Sequence, residues 1–229
     1  MLKKDYNSKY FSVLGDSIST LFGYSQPIEA AFYTTANRYQ TDVCYPEDTW
    51  WGRVISALGG KLLVNDSFSG SAVCYSPLCE IESYGCSDMR TSRLSSESVA
   101  PNVIMVFMGI NDRGLNAPLR PRKIDCPKNG ESGDLTVFSV AYSAMLSKLR
   151  ANYPEAEIWC LTLPLSNGAA LPLARKSSEY SAIIKECAAL HNALAIDVGN
   201  ILYQSADGLH PDRKGMEQLA AAVLQAVGC

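Results

Sequence analysis

Apolar positions along the chain fall into two alternating patterns. Five short runs filled by β-branched and aromatic residues, without a 3.6-residue period, predict buried strands. They cover Tyr10 to Leu14, Lys61 to Asn65, Val103 to Met108, Ala156 to Leu163 and Ala193 to Val198. Between them the spacing turns helical. Asp48 is placed to cap a helix carrying Trp50, Trp51, Val54, Ile55 and Leu58, with Gly59 and Gly60 as its stop. From Asp134 on, Phe138, Ala141, Tyr142, Met145, Leu146 and Leu149 recur at helical intervals ahead of Pro154, predicting a helix with one apolar face. Tyr180, Ile183, Ile184, Cys187 and His191 repeat that spacing, as do Met216, Leu219, Ala220, Val223 and Val227.

Strand and helix alternate throughout, so the expected architecture is a doubly wound α/β domain: a five-stranded parallel sheet with right-handed crossovers and helices on both faces. No linker, repeat or low-complexity tract divides the chain, which predicts one domain over residues 1–229. Ligands of such folds bind beyond the carboxyl ends of the strands. Two irregular segments, Gly23 to Glu47 and Gly114 to Gly133, are too long for simple connectors and are expected to wall a site.

Composition narrows the function classes. With 47% hydrophobic and 19% charged residues, a chain of 229 can fill a sizeable core. The net charge of -3 and the lack of any basic run argue against nucleic acid as a partner. No apolar stretch approaches the roughly 18 residues that span a bilayer. The opening Met1 to Asn7 turns polar where a signal peptide would turn apolar, so neither export nor a membrane partner is expected and the location predicted is cytoplasmic. Eight cysteines are scattered without a CxxC pair, and there are only two histidines, which leaves no regular zinc pattern. Reduced, packed thiols are one reading; a disulfide among Cys74, Cys79, Cys86 and Cys126 is the other, if the protein works outside the cytosol.

Chemistry gathers at the strand ends. The first strand runs into Gly15, Asp16 and Ser17, which puts a serine where the chain must turn. A serine nucleophile needs a base within hydrogen-bonding reach. His191 lies on the apolar spacing of a helix and reads as packed or helix-terminal. His210 lies in a loop between the fifth strand and the last helix, on the rim where Ser17 is expected. Asp207, three residues earlier in a loop bent at Gly208, can orient one imidazole nitrogen and leave the other facing the serine. The plainer alternative is an aspartate capping a turn. An acyl-transfer site also needs donors for a developing oxyanion. Gly70, after the second strand, and the Asn111 amide, after the third, are candidates, with a turn glycine and an Asx-turn asparagine as their plain alternatives.

These four segments together resemble the SGNH, or GDSL, hydrolase family. Gly15-Asp16-Ser17 is similar to its first block, the stretch from Asn65 through Ser67 and Ser69 to Gly70 to its second, Gly109, Asn111 and Asp112 to its third, and Asp207 with His210 to its fifth. The resemblance implies a three-layer α/β/α, flavodoxin-like fold and ester hydrolysis without metal or cofactor. It implies Ser17 as nucleophile, His210 as base, Asp207 as orienting acid, and Gly70, Asn111 and the Ser17 N–H as oxyanion donors. The G-x-S-x-G elbow of ordinary α/β-hydrolases is absent.

For the substrate, aromatic residues are dense between 22 and 51: Phe22, Tyr24, Phe32, Tyr33, Tyr39, Tyr45, Trp50 and Trp51. Aromatic faces stack on sugar rings, so an acetylated saccharide is a candidate small-molecule substrate. Short acyl groups are expected over long lipid chains only because no obvious membrane-binding amphipathic segment is present. Trp50 and Trp51 also fit a core role. Arg38, Arg90, Arg93 and Arg113 fall in or near loops, where an anionic substrate could reach them. An acyltransferase using the same acyl-enzyme, and a silent binding module on the same fold, are the alternatives.

Overall fold

The computed structural model describes residues 5–25, 30–34, 41–76, 83–120, 133–166 and 171–228, without the side chains of 166 and 171–176. Among the described residues seven strands form: β1 (Tyr10–Gly15), β2 (Lys61–Ser67), β3 (Val103–Phe107), β4 (Glu157–Leu161), β5 (Leu165–Ser166), β6 (Leu194–Ile196) and β7 (Leu202–Tyr203). Five of them make an all-parallel sheet in the order β2-β1-β3-β4-β6, while β5 and β7 pair separately. Every residue of β3 is buried, as expected of a central strand covered on both faces. The α-helices among the described residues are α1 (Trp50–Ala57), α2 (Asp88–Ser92), α3 (Ile110–Gly114), α4 (Phe138–Asn152), α5 (Leu171–Leu190) and α6 (Arg213–Ala226). Helix α1 packs with α6 and α4 with α5, giving the layered α/β architecture that the alternation predicts.

Helix ends follow local chemistry. The cap of α1 is Thr49, whose side chain accepts from the Gly52 N–H, and not the expected Asp48. Asp48 closes the preceding 3-10 turn instead, its Oδ2 accepting from the Cys44 and Tyr45 N–H groups at 3.0 Å each. Asp212 caps α6 through the Gly215 N–H. Val137 precedes α4, with Asp134 one turn earlier accepting from the Thr136 N–H. The one-turn helices α2 and α3 and the two-residue strands β5 and β7 were not expected, because pieces so short carry no readable period.

Register aligns the chemistry. Gly15 of β1 pairs with Ser67 of β2 on one side and Phe107 of β3 on the other, so three strands end at one level. Strand order reverses direction between β1 and β3, the switch point where such sheets open a ligand crevice.

Cys44, Cys74, Cys86, Cys160 and Cys187 are free thiols, which removes a bridge between Cys74 and Cys86; Cys79 and Cys126 lie outside the described residues. Burial pushes Cys86 and Cys160 up to about 12 and Cys187 up to about 11, so these thiols stay protonated. Among the described residues no helix is long and apolar enough to cross a membrane. Parts of both predicted walls, residues 26–29, 35–40 and 121–132, also fall outside the described residues.

Candidate active site

The nucleophile turn begins where β1 has no room for a side chain. A Cβ on Gly15 would sit 2.5 Å from the Ser19 Cβ and 2.7 Å from the Ser67 Oγ, so the chain can fold back only around glycine. Asp16 then caps a 3-10 turn, Ser17–Ser19, by accepting from the Ile18 N–H at 3.1 Å. Four side-chain donors hold that turn. The Trp50 indole donates to Ser19 Oγ at 3.2 Å, the Trp51 indole to Ser19 O at 3.0 Å and the Asn65 amide to Ser19 O at 2.9 Å, while Thr20 Oγ1 donates to Ser17 O at 2.8 Å. Burial of its carboxyl raises Asp16 to about 7, and its Oδ2 has no hydrogen-bond partner among the described residues.

Opposite this turn, Ser17 Oγ lies 2.9 Å from His210 Nε2, and His210 Nδ1 lies 2.6 Å from Asp207 Oδ2. Gly208, at a φ of +80°, bends the loop between them in a region that favours glycine. The two readings of Asp207 turn out to be compatible, because its two oxygens divide the work. Oδ1 accepts from the Leu209 and His210 N–H groups at 2.9 and 2.7 Å and so caps the turn, which leaves Oδ2 for the imidazole. Burial works to raise the Asp207 carboxyl, but hydrogen bonds from the His210 N–H, the His210 ring and the Leu209 N–H outweigh it and hold the group at about 2. Burial pushes His210 below its ordinary range, against the pull of Asp207. At neutral pH the imidazole is therefore uncharged. Its Nδ1–H donates to the Asp207 carboxylate, which leaves the Nε2 lone pair toward the serine hydroxyl.

The remaining expected residues come from the neighbouring strand ends. Asn111, in the first turn of α3 beyond β3, donates one amide N–H to Ser71 O at 2.9 Å; an amide carries two such hydrogens, so a second is available to a ligand. Gly70, beside Ser71, has a φ of +80° with open space where a Cβ would point. Asp112 ties the two segments together, its carboxylate accepting from the Val73 and Cys74 N–H groups at 2.8 and 2.9 Å.

Other expectations are corrected or refined. Arg90 in α2 is completely buried, and Arg113 in α3 is 9% exposed and donates to Ser177 Oγ at 2.7 Å, so neither stands in a loop open to an anionic substrate; Arg93 reaches Asp66 at 3.1 Å, and Arg38 lies outside the described residues. Of the aromatic set, Trp50, Trp51 and Tyr33 are buried, and Tyr39 lies outside the described residues. Phe32 stacks on the His210 ring with centroids 3.5 Å apart, whereas Phe22, Tyr24 and Tyr45 remain exposed. The stacking of Phe32 and the grip of the two indoles on Ser19 had no signal in the sequence beyond the clustering of aromatic residues.

His191, just past α5, also meets a serine: Ser143 Oγ lies 2.8 Å from its Nε2. The pair borders a cavity of about 590 Å³ between α4 and α5. Burial, then the charge of Arg150, lowers its pKa, and among the described residues no carboxylate holds its other nitrogen. His210 has such a carboxylate and is the better base.

The GDSL-like Lipase/Acylhydrolase family model matches residues 9–227. Comparison with curated proteins returns no match. Among solved structures, a GDSL-like lipase-type protein from Bacteroides ovatus is 29% identical, covering 96% of this chain and 97% of its own, with a TM-score of 0.75. An acetylxylan esterase from Geobacillus stearothermophilus shares the fold at 20% identity and a TM-score of 0.60, over 99% of this chain and 97% of its own. A carbohydrate acetylesterase from Sinorhizobium meliloti does so at 15% and 0.63, over 96% and 98%. With the family match running through nearly all of the strands and helices described, the chain belongs to the GDSL-like lipase/acylhydrolase family and is a carboxylic ester hydrolase.

Proposed function

We propose that this enzyme is a serine esterase working through an acyl-enzyme. The observation that carries the reading is the continuous relay from Ser17 Oγ through the His210 ring to Asp207, at 2.9 and 2.6 Å. His210 Nε2 takes the Ser17 proton as Oγ attacks the ester carbonyl. The carbonyl oxygen becomes an oxyanion held by the Gly70 N–H, the Asn111 amide and the Ser17 N–H. Collapse breaks the carbon–oxygen bond to the alcohol, which leaves with the proton returned by His210. Water, deprotonated by the same nitrogen, attacks the acyl-enzyme; the acid departs and Ser17 regains its proton. Asp207 stays ionised throughout and stabilises the imidazolium.

Short acyl esters on a saccharide are the substrate class we infer. Exposed Phe22, Tyr24 and Tyr45 offer ring faces of the kind that stack on sugars. Two proteins of the same fold are an acetylxylan esterase and a carbohydrate acetylesterase, which agrees with that choice. The test is a panel of aryl esters of increasing acyl length and of acetylated sugars, assayed on wild type beside Ser17→Ala. Acetyl esters should turn over fastest, with Ser17→Ala slower by roughly 10⁵-fold or more. Undiminished hydrolysis by folded, uncontaminated Ser17→Ala would remove the serine from the mechanism. Preference for long acyl chains would remove the substrate class alone.

A further inference from the structure

Arg90 stands in none of the segments that carry the proposed chemistry, yet its guanidinium is completely buried and every one of its five N–H donors has an acceptor. Nε donates to Asp66 Oδ2 at 2.8 Å. One terminal nitrogen donates to Ser71 Oγ at 2.8 Å and to Ser83 O, and the other to Gly15 O at 3.0 Å and to Asp66 O. Balancing the charge of Asp66 accounts for one of these bonds. The rest reach the end of β1 directly before Asp16 and Ser17, the backbone of β2 near its end, Ser71 beside Gly70, and the Ser83 carbonyl to which Ser71 also donates.

A guanidinium is a rigid plane with fixed donor angles, so acceptors bound to its two terminal nitrogens cannot move independently. Here Gly15 O fixes the start of the nucleophile turn, and Ser71 Oγ fixes the residue after Gly70. Ser71 is held a second time, since its carbonyl accepts from Asn111 and its hydroxyl donates to Ser83 O. We infer that Arg90 is a positioning residue for the oxyanion site, setting the separation between the Ser17 turn and the Gly70–Ser71 loop. The inference rests on the assignment of Gly70 and Asn111 as oxyanion donors. A small displacement matters less to substrate binding than to donors aimed at a charge that exists only in the transition state.

The test compares Arg90→Lys, Ser71→Ala and Asn111→Ala with wild type, using an aryl acetate and an aryl trifluoromethyl ketone, which adds reversibly to the serine and presents an oxyanion. Lysine keeps the charge but has three donors on a flexible stem. Folded Arg90→Lys should lose tenfold or more in kcat with KM within threefold, and ketone affinity should fall by the same factor as kcat/KM. Ser71→Ala should move both quantities in the same direction by threefold or more. Should Arg90→Lys fail to fold, Ser71→Ala decides. A protein that merely lost packing would show a lower melting temperature with kcat and ketone affinity unchanged; a kcat within twofold of wild type in the deciding variant overturns the inference, as does a loss confined to KM. Asn111→Ala tests the assignment beneath it: ketone affinity unchanged there would refute the oxyanion reading itself, whereas a drop there with none in the deciding variant refutes only the role of Arg90.

Discussion

Asp207 is read twice, once by each oxygen, and that double use sets the protonation of the site. The backbone N–H groups of Leu209 and His210 hold Oδ1, so the carboxylate cannot swing away from the imidazole it orients. Because burial lowers the His210 pKa below its ordinary 6.5, the basic form is already dominant at neutral pH. Only the neutral imidazole can accept the Ser17 proton, so kcat/KM should climb with pH along one acid limb whose midpoint lies below 6.5, then level off. Asp207 draws that pKa upward; Asp207→Asn should therefore shift the limb to lower pH while the plateau drops by roughly 10³ to 10⁴ through loss of the correct tautomer. A pH–rate profile of the two proteins checks both signs. A wild-type midpoint clearly above 6.5 would show that burial does not govern this histidine.

The loop after β2 and the turn of α3 after β3 are separate in sequence and act as one unit because of Asp112. Its buried carboxylate satisfies two backbone N–H groups that have nowhere else to go, although burial raises its own pKa. Removing it in Asp112→Ala leaves both N–H groups unpaired; at about 1–3 kcal/mol for each orphaned donor, the protein should lose about 2–6 kcal/mol of stability. A urea titration should show the midpoint falling with little change in slope. Such links explain what could be read in advance. Helices α1, α4, α5 and α6 announce themselves by period, and Ser17, His210, Asp207, Gly70 and Asn111 by turn-forming neighbours at strand ends. Arg90 gives no such signal, because its acceptor on Gly15 is 75 positions away. The cap of α1 slipped by one residue for a smaller reason: Asp48 and Thr49 are both good caps, and only the 3-10 turn that consumes Asp48 decides between them.

The alternation of strands and helices foretells a parallel sheet but not the order β2-β1-β3-β4-β6, since order depends on which way each crossover leaves the sheet. That order matters to the proposed site, as the reversal between β1 and β3 brings the turn holding Ser17 beside the α3 turn holding Asn111. It also bears on how the chain unfolds. All five strands of the main sheet share one continuous core, with Trp50 edge-on to Phe107 of β3 and Trp159 edge-on to Phe11 of β1. A single domain over residues 1–229 is the proposal consistent with this, and the three tryptophans supply its test. Trp50 and Trp51 report on α1 against the sheet, Trp159 on the sheet itself, and far-ultraviolet circular dichroism on the helices that cover it. If the chain is one cooperative unit, tryptophan emission and ellipticity should trace superimposable urea curves with one midpoint. Two separated midpoints, with emission lost before ellipticity or after it, would divide the chain into units that the shared core does not join.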